Sequence, residues 1–269
     1  MKILVACLIL LAFALTFLDS PKAVKHSMAH DHESTSATNG AEVTDQINKT
    51  VTLAPGSNVR ITGFNGRVTV ETSESNNAEI NIQVKASSQE AMDRKPVVIE
   101  HTANTLVIKT ENDKEGGKGG WDRGHVNHTV NVRLPRSSNL KVSSVNGGVT
   151  IGQLAGEVGV SSVNGRVKVE LAGTVADLSS INGGVSVTMM KLSAAGLRVS
   201  SVNGGVEIGI RGDVNADVDV HGVNGGIDSD LPISAQGEMK RGQLVGKIGS
   251  GGAPIKITSV NGGVTLRRN

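Results

Sequence analysis

The sequence predicts an all-β fold, namely a β-solenoid whose coils are about 18–21 residues long. Three observations predict it. An Asn-Gly phrase recurs, aliphatic residues stand at fixed distances from each Asn, and a second turn such as Leu154-Ala155-Gly156-Glu157 falls about midway between successive phrases. Two short strands and two corners that repeat in phase are typical of a stacked coil.

The Asn-Gly phrase forms the corner of each coil in this interpretation. Asn tolerates the left-handed conformation, and Gly adopts a positive φ at little steric cost. The phrase occurs seven times, at Asn65-Gly66, Asn146-Gly147, Asn164-Gly165, Asn182-Gly183, Asn203-Gly204, Asn224-Gly225 and Asn261-Gly262.

The spacing between successive phrases sets the length of a coil. From Asn146 onward the Asn residues are 18, 18, 21, 21 and 37 positions apart. We interpret the last gap as two coils, one of which has lost its Asn. That coil, with the charged tail Arg267-Arg268-Asn269, is expected to close one end of the stack, and the irregular N-terminal region is expected to cap the other.

Four columns of residues are almost wholly aliphatic when the repeats are aligned on Asn. They stand four and one residues before it and three and five residues after it, as Val142, Val145, Val149 and Ile151 do around Asn146. We predict that all four columns point inward. The position two before Asn is always Ser or Gly. The inward parity slips between the fourth and first positions before Asn, which predicts a bend or bulge at the entry to the turn.

An antiparallel meander or β-sandwich is the alternative, because Asn-Gly between alternating strands also signals a hairpin. The solenoid is favoured because both strands and both turns recur together. In a solenoid, like residues stack on like, so the Asn amides are expected to form a ladder at about 4.8 Å spacing, with the Ser column hydrogen-bonded along the stack.

The chain divides into three predicted parts. Lys2, an apolar run over residues 3–18 and a polar end match a signal peptide over residues 1–23. Residues 24–48 are polar and lack apolar periodicity, which predicts a disordered linker. Residues 49–269 are the repeat-containing β domain, irregular over 49–135 and regular over 136–269.

Composition excludes several classes of function. The formal charge of +2 gives no basic surface for nucleic acid, and a membrane contact is expected only if the leader is retained. The single cysteine, Cys7, lies in the leader, so the body has no thiol chemistry. No hydrolase elbow, phosphate loop or zinc motif occurs, and we expect no cofactor and no enzymatic activity.

Two places carry candidate binding residues. Trp121 lies in a glycine-rich loop and is, with Phe64, one of two aromatic residues beyond the leader. Asp213, Asp217, Asp219 and His221 alternate along a predicted strand and share a face, but the glycine and glutamate of a calcium loop are missing after them. We expect a solvated surface there rather than a metal site.

The phrase Ser-Val-Asn-Gly-Gly-Val, with the C-terminal stretch from Gly246 to Val264, resembles the bacterial putative-adhesin domain family. The resemblance covers about Thr50 to Arg268. It implies an exported β-solenoid similar to autotransporter adhesin-head domains, and it supplies no catalytic residues.

These observations predict a non-enzymatic, adhesin-like protein of the periplasm, cell surface or extracellular space, with an envelope component, glycan or surface protein as partner. A structural or envelope-stress protein is one alternative. A β-helix enzyme acting on polysaccharides is another, although such enzymes use clustered acids and bases and aromatic platforms for sugar rings. The sequence does not identify the ligand, the binding face, the fate of the leader or the oligomeric state.

Overall fold

A computed structural model of the chain describes residues 42–111, 125–173, 175–235 and 242–269. The predicted leader, Trp121 with its loop, and linker residues 24–41 lie outside the described residues. No described helix has the length and apolar character that a membrane crossing requires.

Six strands and one short helix form the N-terminal part of the described chain. In chain order they are β1 (Val43–Thr52), β2 (Asn58–Ser73), β3 (Asn77–Ala86), α1 (Gln89–Asp93), β4 (Val97–His101), β5 (Thr105–Thr110) and β6 (Val126–Pro135). Because β1 begins at Val43, the prediction of a disordered linker through residue 48 is wrong for its last six residues. These residues alternate in exposure and pair with β3, which the polar composition concealed.

Paired short strands make up the rest of the chain. They are β7 (Asn139–Asn146), β8 (Val149–Leu154), β9 (Val158–Asn164), β10 (Val167–Leu171), β11 (Ala176–Asn182), β12 (Val185–Met189), β13 (Leu197–Asn203), β14 (Val206–Ile210), β15 (Ala216–Asn224), β16 (Ile227–Ser229), β17 (Ile233–Ala235), β18 (Gln243–Ile248), β19 (Ala253–Asn261) and β20 (Val264–Arg268).

Two largely parallel sheets face each other across one core, which confirms the predicted solenoid. Strands before the Asn corners form sheet B, and strands after them form sheet A. The long strand β2 contributes its first half to sheet B and its second half to sheet A. Each coil therefore places one strand in each sheet, and the Asn-Gly corner joins them.

The layers do not stack in chain order. The last coil, β19–β20, lies between β13–β14 and β15–β16. At the opposite end β2 lies between β7–β8 and the layer made of β5 and β6. The stack among described residues is therefore β5–β6, β2, β7–β8, β9–β10, β11–β12, β13–β14, β19–β20 and β15–β16.

The ends of the stack are closed by antiparallel strands. β4 pairs with β5 on sheet B, and β3 and β1 extend sheet A beyond β6. At the other end β18 and β17 extend sheet B beyond β15. The interpretation of the 37-residue gap as two coils is therefore wrong, because β17 and β18 form a cap. The tail through Arg268 does not close the stack, because β20 is an internal layer.

Three of the four predicted inward columns are confirmed. Around Asn164, the side chains of Val160, Val167 and Val169 are buried, and the same holds in the other internal coils. Substitution of these columns by polar residues would remove apolar contacts from every neighbouring layer, since each layer packs only on the two beside it.

The column directly before Asn is the exception, and the prediction that it points inward is wrong. Val145 and Val223 are 49% and 57% exposed, and the residues between them in the stack are half-buried. Inward and outward side chains alternate along the strand up to the corner. The Ser two before Asn therefore points inward, and the aliphatic residue directly before Asn points outward. The small side chain fits the crowded corner, where Ser201 Oγ donates to Gly204 O at 3.0 Å.

The bend or bulge predicted at the entry to the turns occurs in the β2 coil, but the coils of β9, β11 and β13 keep regular alternation there, so the prediction is wrong for them. In the β2 coil the register with β7 shifts around Phe64, and Gly63 has a φ of 85°. The shift turns Phe64 into the core, where it is fully buried. Val145 therefore lacks a neighbour above it in the outward column, which explains its exposure.

The Asn corners form the predicted ladder in spatial rather than chain order. Asn164 Nδ2 donates to Asn146 Oδ1 at 2.8 Å, and the chain of amides continues through Asn182, Asn203, Asn261 and Asn224 at 2.8–2.9 Å. Asn65 instead donates to Val126 O at 2.9 Å. Each internal amide thus both donates and accepts along the stack.

A buried histidine lies beside Phe64. The His128 ring is 1% exposed and meets the Phe64 ring edge-on, with centroids 5.2 Å apart. Burial in this apolar surrounding lowers the pKa of His128 below its ordinary value of 6.5, because the charged form loses its hydration.

His128 is therefore expected to make the fold sensitive to acid. Since the folded pKa lies below the unfolded one, the unfolded chain takes up the proton first as pH falls below about 6.5. Stability is full above that pH and declines toward the folded pKa, with a slope of at most about 1.4 kcal/mol per pH unit for one proton. Urea unfolding between pH 7.5 and 5.5, in rough steps of half a unit, should show this decline in the wild type and lose it in His128→Leu. His221→Gln, at an exposed histidine, should keep it, and an unchanged decline in His128→Leu would contradict the assignment.

Candidate binding surfaces

Three of the residues predicted from the sequence lie on β15, at one end of sheet B. Asp217, Asp219 and His221 occupy alternate positions of β15 and share its outer face, as their spacing predicts. His221 Nε2 lies 2.9 Å from Asp219 Oδ1. Asp213 precedes the strand and pairs with Arg268 at 2.9 Å.

Lysines stand beside these acidic residues on the neighbouring strands. In the strand register Asp217 is opposite Lys247 of β18, and Asp219 is opposite Lys256 of β19. Within the described ranges, no group of three or more His, Cys, Asp or Glu side chains is arranged to hold a metal ion. The face is thus a surface of alternating charge, and its role in binding stays a prediction.

A second surface, which sequence reasoning missed, lies on the outer face of sheet A. A shallow depression runs across β1, β3, β6 and the second half of β2. Asn48, Asn81, Asn131 and Thr69 lie side by side across these four strands, one from each. We call this group the amide row.

Alternation and pairing together create the amide row. Each member points outward. Those on β2, β3 and β6 stand between buried neighbours, as Asn81 does between Ile80 and Ile82, whereas the neighbours of Asn48 are half-buried. The side chain of Asn81 donates to Asn48 Oδ1. The four residues are separated by up to 83 positions of sequence, so only the antiparallel addition of β1 and β3 to the solenoid brings them together.

A charged row runs parallel to the amide row, two residues further along the strands. It consists of Thr50, Glu79, Arg133 and Glu71 in neighbouring strands. The Arg133 guanidinium lies between the two carboxylates, 3.2 Å from Glu71 Oε2 and 3.8 Å from Glu79 Oε2. All three side chains are half or more exposed, so these ion pairs orient the carboxylates more than they stabilise the fold.

The depression offers hydrogen-bond donors and acceptors on a rigid support. Amide side chains both donate and accept, and the paired carboxylates and guanidinium add charge-assisted bonds. Of the two aromatic residues beyond the leader, Phe64 is buried and Trp121 lies outside the described residues. Recognition by the described residues of this surface would therefore depend on hydrogen bonds rather than on stacking.

Comparison with known proteins finds a family model that matches the repeat region. Residues 139–267, from β7 to β20, match the model of the Toastrack DUF4097 family. No curated protein matches the chain.

Several solved structures are similar in fold. A putative cell adhesion protein from Clostridium sporogenes is 12% identical, with 84% of this chain and 100% of that chain covered and a TM-score of 0.48. A putative adhesin from Bacteroides fragilis is 14% identical, with 84% and 97% covered and a TM-score of 0.31. A putative lipid binding protein from Parabacteroides distasonis is 12% identical, with 86% and 98% covered and a TM-score of 0.29. Likenesses at this level say nothing about what this chain binds.

Proposed function

We propose, on the premise that residues 139–267 form a Toastrack DUF4097 domain, that this chain is an exported, non-enzymatic binding protein with an adhesin-like role at the cell envelope or surface. Export rests on the leader pattern of residues 1–23. The ligand is an uncharged, hydroxyl-rich molecule such as a neutral glycan. It binds across the depression on sheet A.

The amide row is the single observation that supports this ligand class most strongly. Three asparagine amides and a threonine hydroxyl face outward in register, spaced about 4.8 Å apart by the strands that carry them. An extended polyol presents hydroxyl groups that both donate and accept, which is the chemistry that amides satisfy. Because the strands are rigid, only the amide side chains lose conformational entropy when the ligand binds.

The charges beside the amide row favour a neutral ligand over an acidic one. Glu71 and Glu79 are balanced by Arg133 between them and by Lys49, which also lines the depression, so the lining carries no net formal charge. An acidic polysaccharide would gain no net attraction from this lining and would find the guanidinium already engaged by two carboxylates. This charge balance speaks against the polysaccharide-cleaving alternative for uronate substrates.

Binding of the full chain to arrays of neutral and acidic glycans, followed by calorimetry on the neutral ones that bind, tests the proposal. Asn81→Ala with Asn131→Ala should weaken binding of a neutral glycan about tenfold or more, since each lost hydrogen bond contributes about 1 kcal/mol. Thr265→Ala with Ser186→Ala is the matched control. These residues lie in the same outward register, farther along sheet A, and should leave affinity unchanged.

Four results would contradict parts of the proposal. Equal binding by the Asn81, Asn131 variant would exclude the depression, and loss of binding in Asp217→Ala with His221→Ala would move the site to sheet B. Release of unsaturated uronate from acidic polysaccharide would establish an enzyme instead. Absence of any glycan binding, with an envelope protein recovered by pull-down from the native cell, would favour the structural alternative.

A further inference from the structure

The outer edge of sheet A is formed by a long, regular strand. β1 has ten residues and, among the described residues, one strand partner, β3. Beyond β1, Leu53 N–H donates to Asn76 O at 2.8 Å, which continues the same register. Backbone bonding alternates along an antiparallel pair, so the odd-numbered residues of β1 bond to β3.

The even-numbered residues of β1 therefore direct their backbone groups away from β3. In agreement with this, the backbone N–H of Gln46 donates to Asp45 Oδ1 at 2.8 Å, within the same strand. An edge of this length, whose outward N–H and C=O groups have no strand partner among the described residues, is a template for another strand.

The side chains of β1 are self-complementary when the strand pairs antiparallel with a copy of itself centred on Ile47. On the core-facing side Val43 meets Val51, Asp45 meets Lys49, and Ile47 meets Ile47. On the solvent side Thr44 meets Thr50, and Gln46 meets Asn48. Every apolar residue finds an apolar partner, and each charge finds its opposite.

The present environment of these side chains fits such a partner. Val43 and Ile47 pack against the core but stay partly exposed, because sheet A ends at β1. Asp45 and Lys49 share their face with Val51, which is 4% exposed. Inward-pointing charges usually block an edge strand, but here the two charges are spaced so that a second copy neutralises both.

We propose that two copies of this chain pair through β1 to form a two-fold symmetric dimer with a continuous sheet A. The two-fold axis passes between the paired Ile47 residues, as an isologous interface requires. About eight backbone hydrogen bonds would form between the even-numbered residues from Thr44 to Thr50. The inference does not depend on the proposed binding function, although it would place two depressions on one continuous face.

Charge reversal tests the pairing in the full chain by sedimentation velocity. The wild type should be dimeric at about 50 µM, whereas Asp45→Lys and Lys49→Asp should each raise the dissociation constant at least about tenfold, because each creates two like-charge contacts per dimer. An equimolar mixture of the two variants should dimerise again, as should the double variant. Asp228→Lys, on edge strand β16 at the other end of sheet A, is the matched control and should stay dimeric.

Cysteine cross-linking tests the register independently of affinity. In a Cys7→Ser background, Ile47→Cys should form an intermolecular disulfide under mild oxidation, because the paired Cα atoms of a non-hydrogen-bonded site lie about 4.5 Å apart. Val43→Cys should not cross-link to itself, since its partner is Val51. A monomeric wild type at about 50 µM, a dimer that persists in both charge variants, a mixture that stays monomeric, or cross-linking of Val43→Cys but not Ile47→Cys would each overturn the proposal.

Discussion

Gly165→Ala is expected to destabilise the fold by about 3 kcal/mol or more, a large share of the stability of a typical domain. A Cβ built on Gly165 would lie 2.0 Å from Gly147 O of the adjacent layer. The adjacent corners are joined by Gly147 N–H to Asn164 O at 2.8 Å and Gly165 N–H to Asn182 O at 3.1 Å. Relief of the clash would separate the layers and lengthen these bonds.

Gly159→Ala is the matched control in the same coil. A Cβ on Gly159 would meet its nearest atom, Lys141 Cγ, at 3.6 Å, which is an ordinary contact. In urea unfolding followed by circular dichroism, the free energy of unfolding of Gly165→Ala should therefore lie below that of Gly159→Ala by most of the expected loss. If Gly165→Ala and Gly159→Ala unfold at the same urea concentration, close stacking of the corners is not the reason that position 165 requires glycine.

Glycine is required at the corners for two reasons, of which the sequence predicts one. The predicted reason is a positive φ, and Gly147 does have a φ of 121°. However, the constraint shared by the stacked corners is contact with the layer beside them, as at Gly183 and Gly225, where a Cβ would lie 2.2 and 2.3 Å from a glycine carbonyl. Sequence patterns reveal that glycine is required, whereas the distance between layers becomes known only in the folded stack.

The fold class follows from the sequence because a solenoid repeats one physical environment. A column of aliphatic residues predicts a core, and a column of asparagines predicts a ladder, since each residue stacks on its equivalent. The prediction for the aliphatic column directly before Asn is wrong because hydrophobicity alone does not imply burial. The alternation of side chains along a strand predicts the correct orientation. Positions four and two before Asn, such as Val160 and Ser162, lie on the same side of the strand, so the residue directly before Asn lies on the other side.

The spatial order of the coils cannot be derived from their sequences. The coils of Asn203, Asn224 and Asn261 share the phrase Val-Asn-Gly-Gly at the corner, so the corner of each would stack on either of the others. What selects the order is the hairpin of β17 and β18, which occupies the side of β15 that faces away from β19. Its residues show neither the repeat nor a strong alternation.

The depression on sheet A was inaccessible to sequence reasoning for a related reason. Asn48 fell within the predicted linker, and Asn81 and Asn131 looked like ordinary outward residues of separate strands. Their proximity results from long-range antiparallel pairing, which local patterns do not encode. By contrast, Asp217 and His221 share a strand, so their common face could be predicted from spacing alone.

The central claim is that the C-terminal coil is inserted between two earlier coils, and cysteine pairs test it directly. Thr258 of β19 is in register with Ser200 of β13 on one side and His221 of β15 on the other. In a Cys7→Ser background, Ser200→Cys with Thr258→Cys should form an intramolecular disulfide, because adjacent strands are about 4.8 Å apart. Ser200→Cys with His221→Cys should not, because a strand lies between them and separates them by about 9.6 Å.

Mass spectrometry of the oxidised, folded variants gives the result. A disulfide between residues 200 and 258, and none between 200 and 221, is the outcome that the inserted coil predicts. The reverse, with a disulfide between residues 200 and 221 and none between 200 and 258, would mean that the coils stack in chain order and would contradict the architecture.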